Sequence, residues 1–290
     1  MPRNLTSEEK EEAYNVNTFF HYCSTATALE IIKNKTLRFS SLDHMNDPHE
    51  CRYFLRVALQ HLDKVPSLSE SQRKGIREYF SEEYLSDIDH LNEQVFANVY
   101  CFCMSIRSDD LSQWRGYGDD GFGVAIGFNK FQLNGFHARD SRIQLRQVNY
   151  SEGDLIEGLR EWKIPNHSHI GIEKDLTPMY AFFQLMRFAP GFKQHAYKDE
   201  KEWRLVFSPP GLVPDSDNDK ALGVTFGATL RGRSLVPYYD IAYHKPLITE
   251  IRLGPNVSNH SELALRLFLE SREMGGIKVE RSEIGYRSGR

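Results

Sequence analysis

The sequence has few cysteines and no long apolar run, and each absence excludes a class of protein. Only four of the 290 residues are cysteines, and none forms a Cys-x-x-Cys pair. We therefore expect buried thiols in a reducing compartment rather than a disulfide scaffold or a zinc site. No uncharged stretch is long enough to span a bilayer, and the first residues lack the apolar segment of a signal peptide. The sequence predicts a cytoplasmic protein without a membrane partner.

Charge of one sign is not in large excess either. The chain carries 36 Lys and Arg against 40 Asp and Glu, which gives a net charge of −4. This balance argues against a surface that coats nucleic acid, although it permits a local basic groove. No Gly-x-Gly-x-x-Gly spacing is followed by a helix in a βαβ unit, so a hydride-transferring dinucleotide fold is not indicated.

Apolar side chains are present in the amount that a core needs. They make up 40% of the chain, and aromatic residues make up 12%. This composition suits a globular protein with one large core or two small ones. We expect residues 1–290 to form a single domain, with a helical insertion at about 51–97.

Apolar runs and alternating patterns predict strands, and a period near 3.6 predicts helices. Strands are expected at 18–23, 36–40, 99–104, 124–128, 143–150, 202–207, 224–230, 234–239, 248–253 and 277–281, and helices at 26–33, 111–115, around 155–159, 179–186 and 261–273. Residues 129–133 are expected to form a turn. Because strands come in runs with helices between the runs, we predict an α+β fold with central mixed, mostly antiparallel sheets flanked by helices.

The stretch from Ser105 to Phe128 carries the densest set of special side chains. The glycines between residues 116 and 123 interrupt regular structure there and let backbone or ligand approach closely. A hydroxyl (Ser105), an indole (Trp114), a guanidinium (Arg115) and a phenol (Tyr117) lie on this connection between two apolar strands. Connections held by a rigid scaffold commonly carry sites. The alternative is a tightly packed corner that Arg115 covers.

This stretch resembles the bacterial domain-of-unknown-function family 2971. The likeness is carried by the run SQWRGYG…GFGVAIGF, and further pieces occur in the family's order. They are FHYCS…SSLDHMNDPHE at 20–50, YKDEKEWRLVF at 197–207, LVPYY at 235–239, IRLGPN at 251–256 and SEIGYR at 282–287. Together they cover nearly the whole chain. The family's name implies no activity, so the chemistry must be argued from the residues.

Polar residues at strand ends resemble the signature of the mono-ADP-ribosyltransferase superfamily. His21 lies on the first strand, Ser105 ends a second, and Glu202 begins a third, with Glu200 two residues before it. Strand alternation places both glutamates on one face if the strand extends that far. The Glu-x-Glu pair is similar to the paired glutamates of arginine-modifying members. The resemblance implies an ADP-ribosyltransferase-like core in which His21, Ser105 and Glu202 face one cleft.

The resemblance also implies NAD as the substrate, with no metal. Glu202 would stabilise the oxocarbenium-like state in which the nicotinamide–ribose bond breaks, and Glu200 would orient the nucleophile. His21 would bind a ribose hydroxyl, and Ser105 would order the glutamate or the ribose. The other expected contacts with NAD are stacking by Tyr22 and Trp114, pairing of Arg115 with the pyrophosphate from the same cleft, and a contact of Tyr117. The acceptor is left open between protein, nucleic acid and water, and such an enzyme would act as a toxin or antiphage defence effector.

One alternative is a non-catalytic ligand-binding or regulatory module of a defence system. In that case His21 and Trp114 belong to the core, and Glu202 with Arg204 forms a surface ion pair. A carboxylate at the start of a strand is not expected to carry the core. Replacement of Glu202 by Gln should therefore leave folding intact.

The other alternative is a metal-dependent nuclease that uses Asp47, Glu50 and Glu202. Asp47 precedes a proline, and His49 and Glu50 follow it closely. Asn-Asp-Pro is also a common turn signal, so these residues equally suit plain turn chemistry. NAD and divalent metal ions distinguish the hypotheses, because each should stabilise only the protein that binds it.

Overall fold

The computed structural model describes residues 16–45, 47, 50–79, 99–161, 187–209, 216–244 and 246–289. The helix expected around 179–186 and the part of the expected insertion beyond residue 79 lie outside these residues, as does His49. None of the helices in the described ranges is long and apolar enough to cross a membrane.

Ten strands of the described chain form one mixed, mostly antiparallel sheet. They are β1 (Thr18–Cys23), β2 (Thr36–Ser41), β3 (Tyr100–Ser105), β4 (Val124–Asn129), β5 (Ile143–Gln147), β6 (Glu202–Phe207), β7 (Val224–Arg231), β8 (Ser234–Ala242), β9 (Ile248–Leu253) and β10 (Lys278–Arg281). The order is β10-β9-β4-β1-β3-β2-β8-β7, with β6 paired to β3 and β5 paired to β6. β9 and β10 run parallel. The predicted α+β class with a mixed, mostly antiparallel sheet is confirmed.

Helices flank this sheet. The described α-helices are α1 (Thr25–Asn34), α2 (Glu50–Gln60), α3 (Glu70–Tyr79), α4 (Leu111–Gly116), α5 (Lys130–Arg139), α6 (Glu152–Glu161), α7 (Ser216–Ala221) and α8 (Asn259–Glu270). Short 3₁₀ helices occur at Leu42–His44, Leu62–Lys64, Asp119–Gly121, Ala189–Gly191 and His195–Glu200.

The turn expected at 129–133 is wrong, because helix α5 begins there. The side-chain oxygen of Asn129 accepts a hydrogen bond from the backbone N–H of Gln132 at 3.1 Å, which caps the first turn of the helix. Asn has the same preference for turns and for N-caps, since its side chain satisfies a nearby backbone donor in both. The residues after Asn129 decide between a turn and a helix. Here Leu133 and Phe136, three residues apart, are both buried, which favours the helix.

Strand β3 is buried on both faces. Tyr100, Phe102 and Met104 belong to the main apolar cluster, which includes side chains of α1, α5 and α8. Cys101 belongs to a second cluster with side chains of α2 and α6. Because successive side chains of a strand point to opposite faces, β3 separates the two clusters, which explains why its sequence is continuously apolar.

The sheet splits beside β3. One edge of β3 pairs with β6 along its whole length, from Tyr100 to Ser105. On the other edge, β2 pairs only with the start of β3, at Tyr100 and Cys101, and β1 only with its end, at Ser105. Residues 102–104 therefore have no strand partner on this edge in the described chain. We call this opening between β1 and β2 the sheet gap.

Gly123 offers a test of how tightly residues 105–123, hereafter the corner, pack against β1. A Cβ atom on Gly123 would lie 2.2 Å from the carbonyl oxygen of Cys23 and 2.8 Å from that of Gly118. Both neighbours are backbone, so we expect Gly123→Ala to lower the free energy of unfolding by about 1–3 kcal/mol. Gly116→Ala is the matched control, because its Cβ meets nothing within 4 Å. Urea denaturation of both variants measures this difference, and equal midpoints would contradict it.

Candidate functional site

A cavity of about 180 Å³ opens at the sheet gap. Strands β1, β2, β3 and β6 and several connections form its wall. Its lining comprises Phe20, His21, Tyr22, Arg38, Ser40, Met45, Cys101, Phe102, Cys103, Met104, Ser105, Gln113, Tyr117, Lys193, Glu200, Glu202, Arg204 and Arg231. The wall combines apolar rings, thiols and thioethers with a set of charged groups.

The side chains predicted as catalytic all line this cavity: His21, Ser105, Glu200 and Glu202. Strand register brings His21, Ser105 and Glu202 together, because Ser105 of β3 lies opposite Phe20 of β1 and opposite Glu202 of β6. His21 is the next residue on β1. The expectation that His21, Ser105 and Glu202 lie on neighbouring strands and face one cleft therefore agrees with their positions.

His21 of β1 contacts the edge of β3 inside the sheet gap. Its Nδ1 donates a hydrogen bond to the carbonyl oxygen of Cys103 at 2.8 Å, and its ring stacks on Phe102 with centroids 4.3 Å apart. The imidazole thus bonds a backbone carbonyl within the part of β3 that lacks a strand partner. Burial lowers the pKa of His21, and the hydrogen bond to Cys103 opposes this only in part. The ring is therefore neutral at pH 7, and with Nδ1 as donor its lone pair lies on Nε2.

Glu202 is a buried and ionised carboxylate. Arg204 binds it through two hydrogen bonds, from Nε to Oε1 at 2.7 Å and from Nη2 to Oε2 at 2.9 Å, and Nζ of Lys193 lies 3.2 Å from Oε2. Burial acts to raise the pKa of Glu202, but the charges of Arg204 and Lys193 and the hydrogen bonds outweigh it and lower the pKa to about 2. Arg204 is completely buried, so Glu202 neutralises a cation inside the protein.

Glu200 reaches the cavity from a turn, not from a strand. It ends the 3₁₀ helix His195–Glu200, and Lys201 follows in the left-handed conformation with φ of 46° before β6 begins at Glu202. Strand alternation therefore does not explain why the two glutamates meet. Their side chains converge on Lys193 instead, whose Nζ lies 2.6 Å from Oε2 of Glu200. The hydroxyl of Tyr117 donates to Oε1 of Glu200 at 2.8 Å.

Ser105 holds the backbone of this turn. Its Oγ donates to the carbonyl oxygen of Glu200 at 2.7 Å and accepts from the N–H of Arg107 at 3.2 Å. The hydroxyl of Tyr150 acts similarly on the next strand, since it accepts the N–H of Glu202 at 2.9 Å. Of the two roles predicted for Ser105, the contacts favour ordering the glutamate segment.

Two residues expected at the cleft do not line the cavity. Trp114 is completely buried, its Nε1 donates to Oδ1 of Asp109 at 2.7 Å, and its ring packs edge-on against Tyr22. Arg115 is exposed and interacts with Tyr286 near the end of the chain. The expected positions of Trp114 and Arg115 are therefore wrong. Successive side chains of helix α4 point about 100° apart, so only one sector of this short helix faces the cavity.

Tyr22 and Tyr117 differ in what they offer to a ligand, although both line the cavity. Tyr22 is 5% exposed, and its hydroxyl donates to the carbonyl oxygen of Arg107 at 2.9 Å. Burial and two nearby aspartates raise its pKa. Tyr117 is 36% exposed and holds Glu200. Tyr117 is the more accessible of the two rings.

The nuclease alternative requires a group of side chains that could bind a metal ion. Among the described residues, no three or more His, Cys, Asp and Glu side chains are grouped so that they could hold a metal ion. Asp47 is buried and does not line the cavity, and Arg204 binds both oxygens of Glu202. Glu202 is therefore already bound by a cation, and Asp47 lies outside the cavity wall.

The segment at 282–288 packs over the corner. The hydroxyl of Ser282 donates to Oδ1 of Asp109 at 2.6 Å, and the hydroxyl of Tyr286 donates to Oδ1 of Asp120 at 2.7 Å. Ile284 packs against the cluster that contains Trp114. The segment therefore ties the last described residues to the connection that carries Tyr117.

One comparison with known proteins gives a match. Residues 113–205, about a third of the chain, match the model of a family described as "Protein of unknown function (DUF2971)". No curated protein and no solved structure matches the chain. The matched range includes Tyr117, Lys193, Glu200, Glu202 and Arg204 of the cavity wall. The match supports the family of unknown function that the sequence motifs predicted.

Proposed function

We propose that the cavity binds NAD and breaks its nicotinamide–ribose bond, so that ADP-ribose passes to an acceptor. One observation carries this proposal: His21, Ser105 and the two glutamates come from separate elements and converge on one cavity at the sheet gap. A neutral imidazole and fixed carboxylates, enclosed by apolar rings, suit a reaction that passes through a positively charged sugar.

The reaction balances without a further co-reactant. The bond between C1′ of the ribose and the pyridinium nitrogen breaks, and its electron pair goes to the nitrogen, which releases neutral nicotinamide. The positive charge that develops at C1′ and the ring oxygen is stabilised by a carboxylate. A water molecule or an acceptor nucleophile then bonds to C1′ and transfers its proton to that carboxylate, which releases it to solvent.

The contacts favour Glu200 as this carboxylate and exchange the roles first assigned to the two glutamates. Both oxygens of Glu202 are bound by Arg204, and its side chain is 8% exposed. Glu200 is 17% exposed and is held by one phenol and one ammonium group. Because a carboxylate oxygen accepts more than one hydrogen bond, Glu200 keeps capacity for a ribose hydroxyl. Glu202 then acts by fixing Lys193.

A second candidate is a binding module that holds its ligand without reaction. The observation in its favour is that Lys193 and Arg204 already compensate the charge of both glutamates. A carboxylate whose charge is compensated stabilises a nearby cation less strongly. This module would bind NAD or a related nucleotide and signal its presence.

Incubation of the purified protein with NAD distinguishes the two candidates. An enzyme releases nicotinamide, measured by chromatography, and transfers label from adenine-labelled NAD to itself, to a lysate component or to water. A binding module is stabilised by NAD against heat but releases no nicotinamide. Absence of both effects contradicts both candidates, and stabilisation by Mg²⁺ or Mn²⁺ alone would bring back the nuclease hypothesis.

The proposal has consequences for where and on what the protein acts. NAD is a cytoplasmic metabolite, and free thiols such as Cys23 and Cys101 suit a reducing compartment, so the proposal implies a cytoplasmic protein. Transfer to a protein or nucleic acid of a competitor or a phage would make it a toxin or a defence effector. The labelled lysate experiment identifies the acceptor.

A further inference from the structure

Cationic side chains outnumber carboxylates in the cavity wall, although the chain is acidic overall. Among the described residues that line it, four side chains are cationic and two are carboxylates, whereas the whole chain carries a net charge of −4. Lys193 and Arg204 contact the two glutamates. The other two cations, Arg38 and Arg231, come from strands β2 and β7, and Arg38 pairs with Asp240, which does not line the cavity.

Arg38 is held in one orientation while half of its side chain stays exposed. Its Nε and Nη2 each donate to an oxygen of Asp240 at 2.9 Å, and its guanidinium lies 3.7 Å from the ring centroid of Tyr238. The side chain is 47% exposed. Asp240 occupies one edge of the guanidinium, and Nη1 has no hydrogen-bond partner among the described residues. A cation fixed in this way loses little conformational freedom when it binds an anion.

Arg231 lies at the end of β7, beside the turn to β8. Its Nη1 donates to the carbonyl oxygen of His44 at 2.8 Å, which fixes the guanidinium against the turn that follows β2. The residue is exposed and lines the cavity. Two guanidinium groups with fixed positions at one opening provide the planar, multiple N–H donors that phosphate oxygens accept.

We propose that Arg38 and Arg231 form a phosphate-binding subsite at the opening of the cavity, where they bind the pyrophosphate of a dinucleotide. This subsite takes the role that the sequence assigned to Arg115, and it rests on the proposed function for the identity of the ligand. His21 on β1 and Arg38 on β2 come from the two strands that border the sheet gap. A ligand that spans the gap therefore meets the imidazole on one side and the arginine on the other.

The alternative is that Arg231 only ties the β7–β8 hairpin to its neighbour. Arg233 gives the control for this alternative, because it lies two residues further along the same hairpin, is exposed and does not line the cavity. Loss of charge from the hairpin is the same in Arg231→Gln and Arg233→Gln. Only the former removes a donor from the cavity opening.

Calorimetric titration with ADP, and with adenosine as the uncharged probe, tests the subsite. We expect Arg231→Gln and Arg38→Gln to weaken ADP binding about tenfold or more, because each loses a charge-assisted hydrogen bond to a phosphate oxygen. Arg233→Gln should stay within about twofold of the natural protein, since Arg233 does not line the cavity and salt screens an exposed charge. Adenosine should bind more weakly than ADP and equally to all four proteins.

The results separate this inference from the proposed function. Loss of ADP affinity in Arg231→Gln but not in Arg233→Gln supports the subsite, even if the protein releases no nicotinamide from NAD. Nicotinamide release together with unchanged ADP affinity in Arg231→Gln overturns the subsite and leaves the proposed function standing. The subsite is also overturned if the natural protein does not bind ADP, or binds ADP and adenosine equally.

Discussion

Replacement of Glu202 by Gln should lower the free energy of unfolding by about 3–5 kcal/mol, the usual cost of removing one partner from a buried ion pair. The amide keeps the size of the carboxylate but removes its charge, so Arg204 would lose the anion that it binds inside the protein. The expectation from the sequence was the opposite, namely that folding survives this change. That expectation rests on the position of Glu202 at the start of a strand, whereas the residue is buried, with 6% of its surface exposed.

The effect of Glu202→Gln should depend on pH in a defined direction. The pKa of Glu202 is lowered from 4.5 to about 2 in the folded protein. The charge of Glu202 therefore contributes stability above about pH 4.5, and this contribution is lost as the pH falls from there towards 2. The difference between the natural protein and the variant should shrink over this range. Urea denaturation from pH 7 to pH 3 measures it.

Glu250→Gln is the control for this experiment, because Glu250 lies on β9 and does not line the cavity. It should change the free energy of unfolding by less than about 0.5 kcal/mol at pH 7. A melting temperature of Glu202→Gln equal to that of Glu250→Gln would show that Arg204 is satisfied without Glu202.

Replacement of Glu200 by Gln is expected to reduce the rate of nicotinamide release about 10²–10³-fold, the range for removal of one electrostatic contact to a transition state. The loss should fall on kcat rather than on the dissociation constant for NAD, since the positive charge on the sugar exists only in the transition state. Glu200→Gln should be less destabilising than Glu202→Gln, because Glu200 lies at a turn and is 17% exposed.

The control for Glu200→Gln is Tyr117→Phe, which keeps the ring and removes only the hydroxyl that donates to Oε1 of Glu200. It should lower the rate less, because the carboxylate remains while one of its two holding groups is lost. Full activity of a well-folded Glu200→Gln protein would return the direct role to Glu202. Unchanged NAD binding with no measurable release in the natural protein would favour the binding module.

Most strands could be predicted because apolar runs and alternation are local signals. β1 and β9 begin and end at the predicted residues, Thr18–Cys23 and Ile248–Leu253. β8 is longer than predicted, at Ser234–Ala242, because its pairing with β2 and β7 continues beyond the apolar part of its sequence. The sheet gap could not be predicted from any local sequence pattern. It exists because β1 and β2 each pair with only one end of β3.

The site could be predicted only in part for a similar reason. Strand ends pointed to His21, Ser105 and Glu202, which do line one cavity. The pairing of Arg204 with Glu202 could be predicted, because residues two apart on a strand share a face. The burial of Arg204 had no signal in the sequence. Lys193 had none, since its partners lie seven and nine residues away across a turn. Trp114 and Arg115 were expected at the cleft, but the side of helix α4 that faces the cavity carries neither residue.

The segment at 282–288 connects a part of the chain that is remote in sequence to one wall of the cavity. Ser282 and Tyr286 hold Asp109 and Asp120, and these aspartates belong to the corner that presents Tyr117 to Glu200. Proteolytic cleavage just before Ser282 would therefore loosen one wall of the cavity without removing any residue that lines it. The integrity of this segment should therefore be checked by mass spectrometry before any measurement of binding or activity is interpreted.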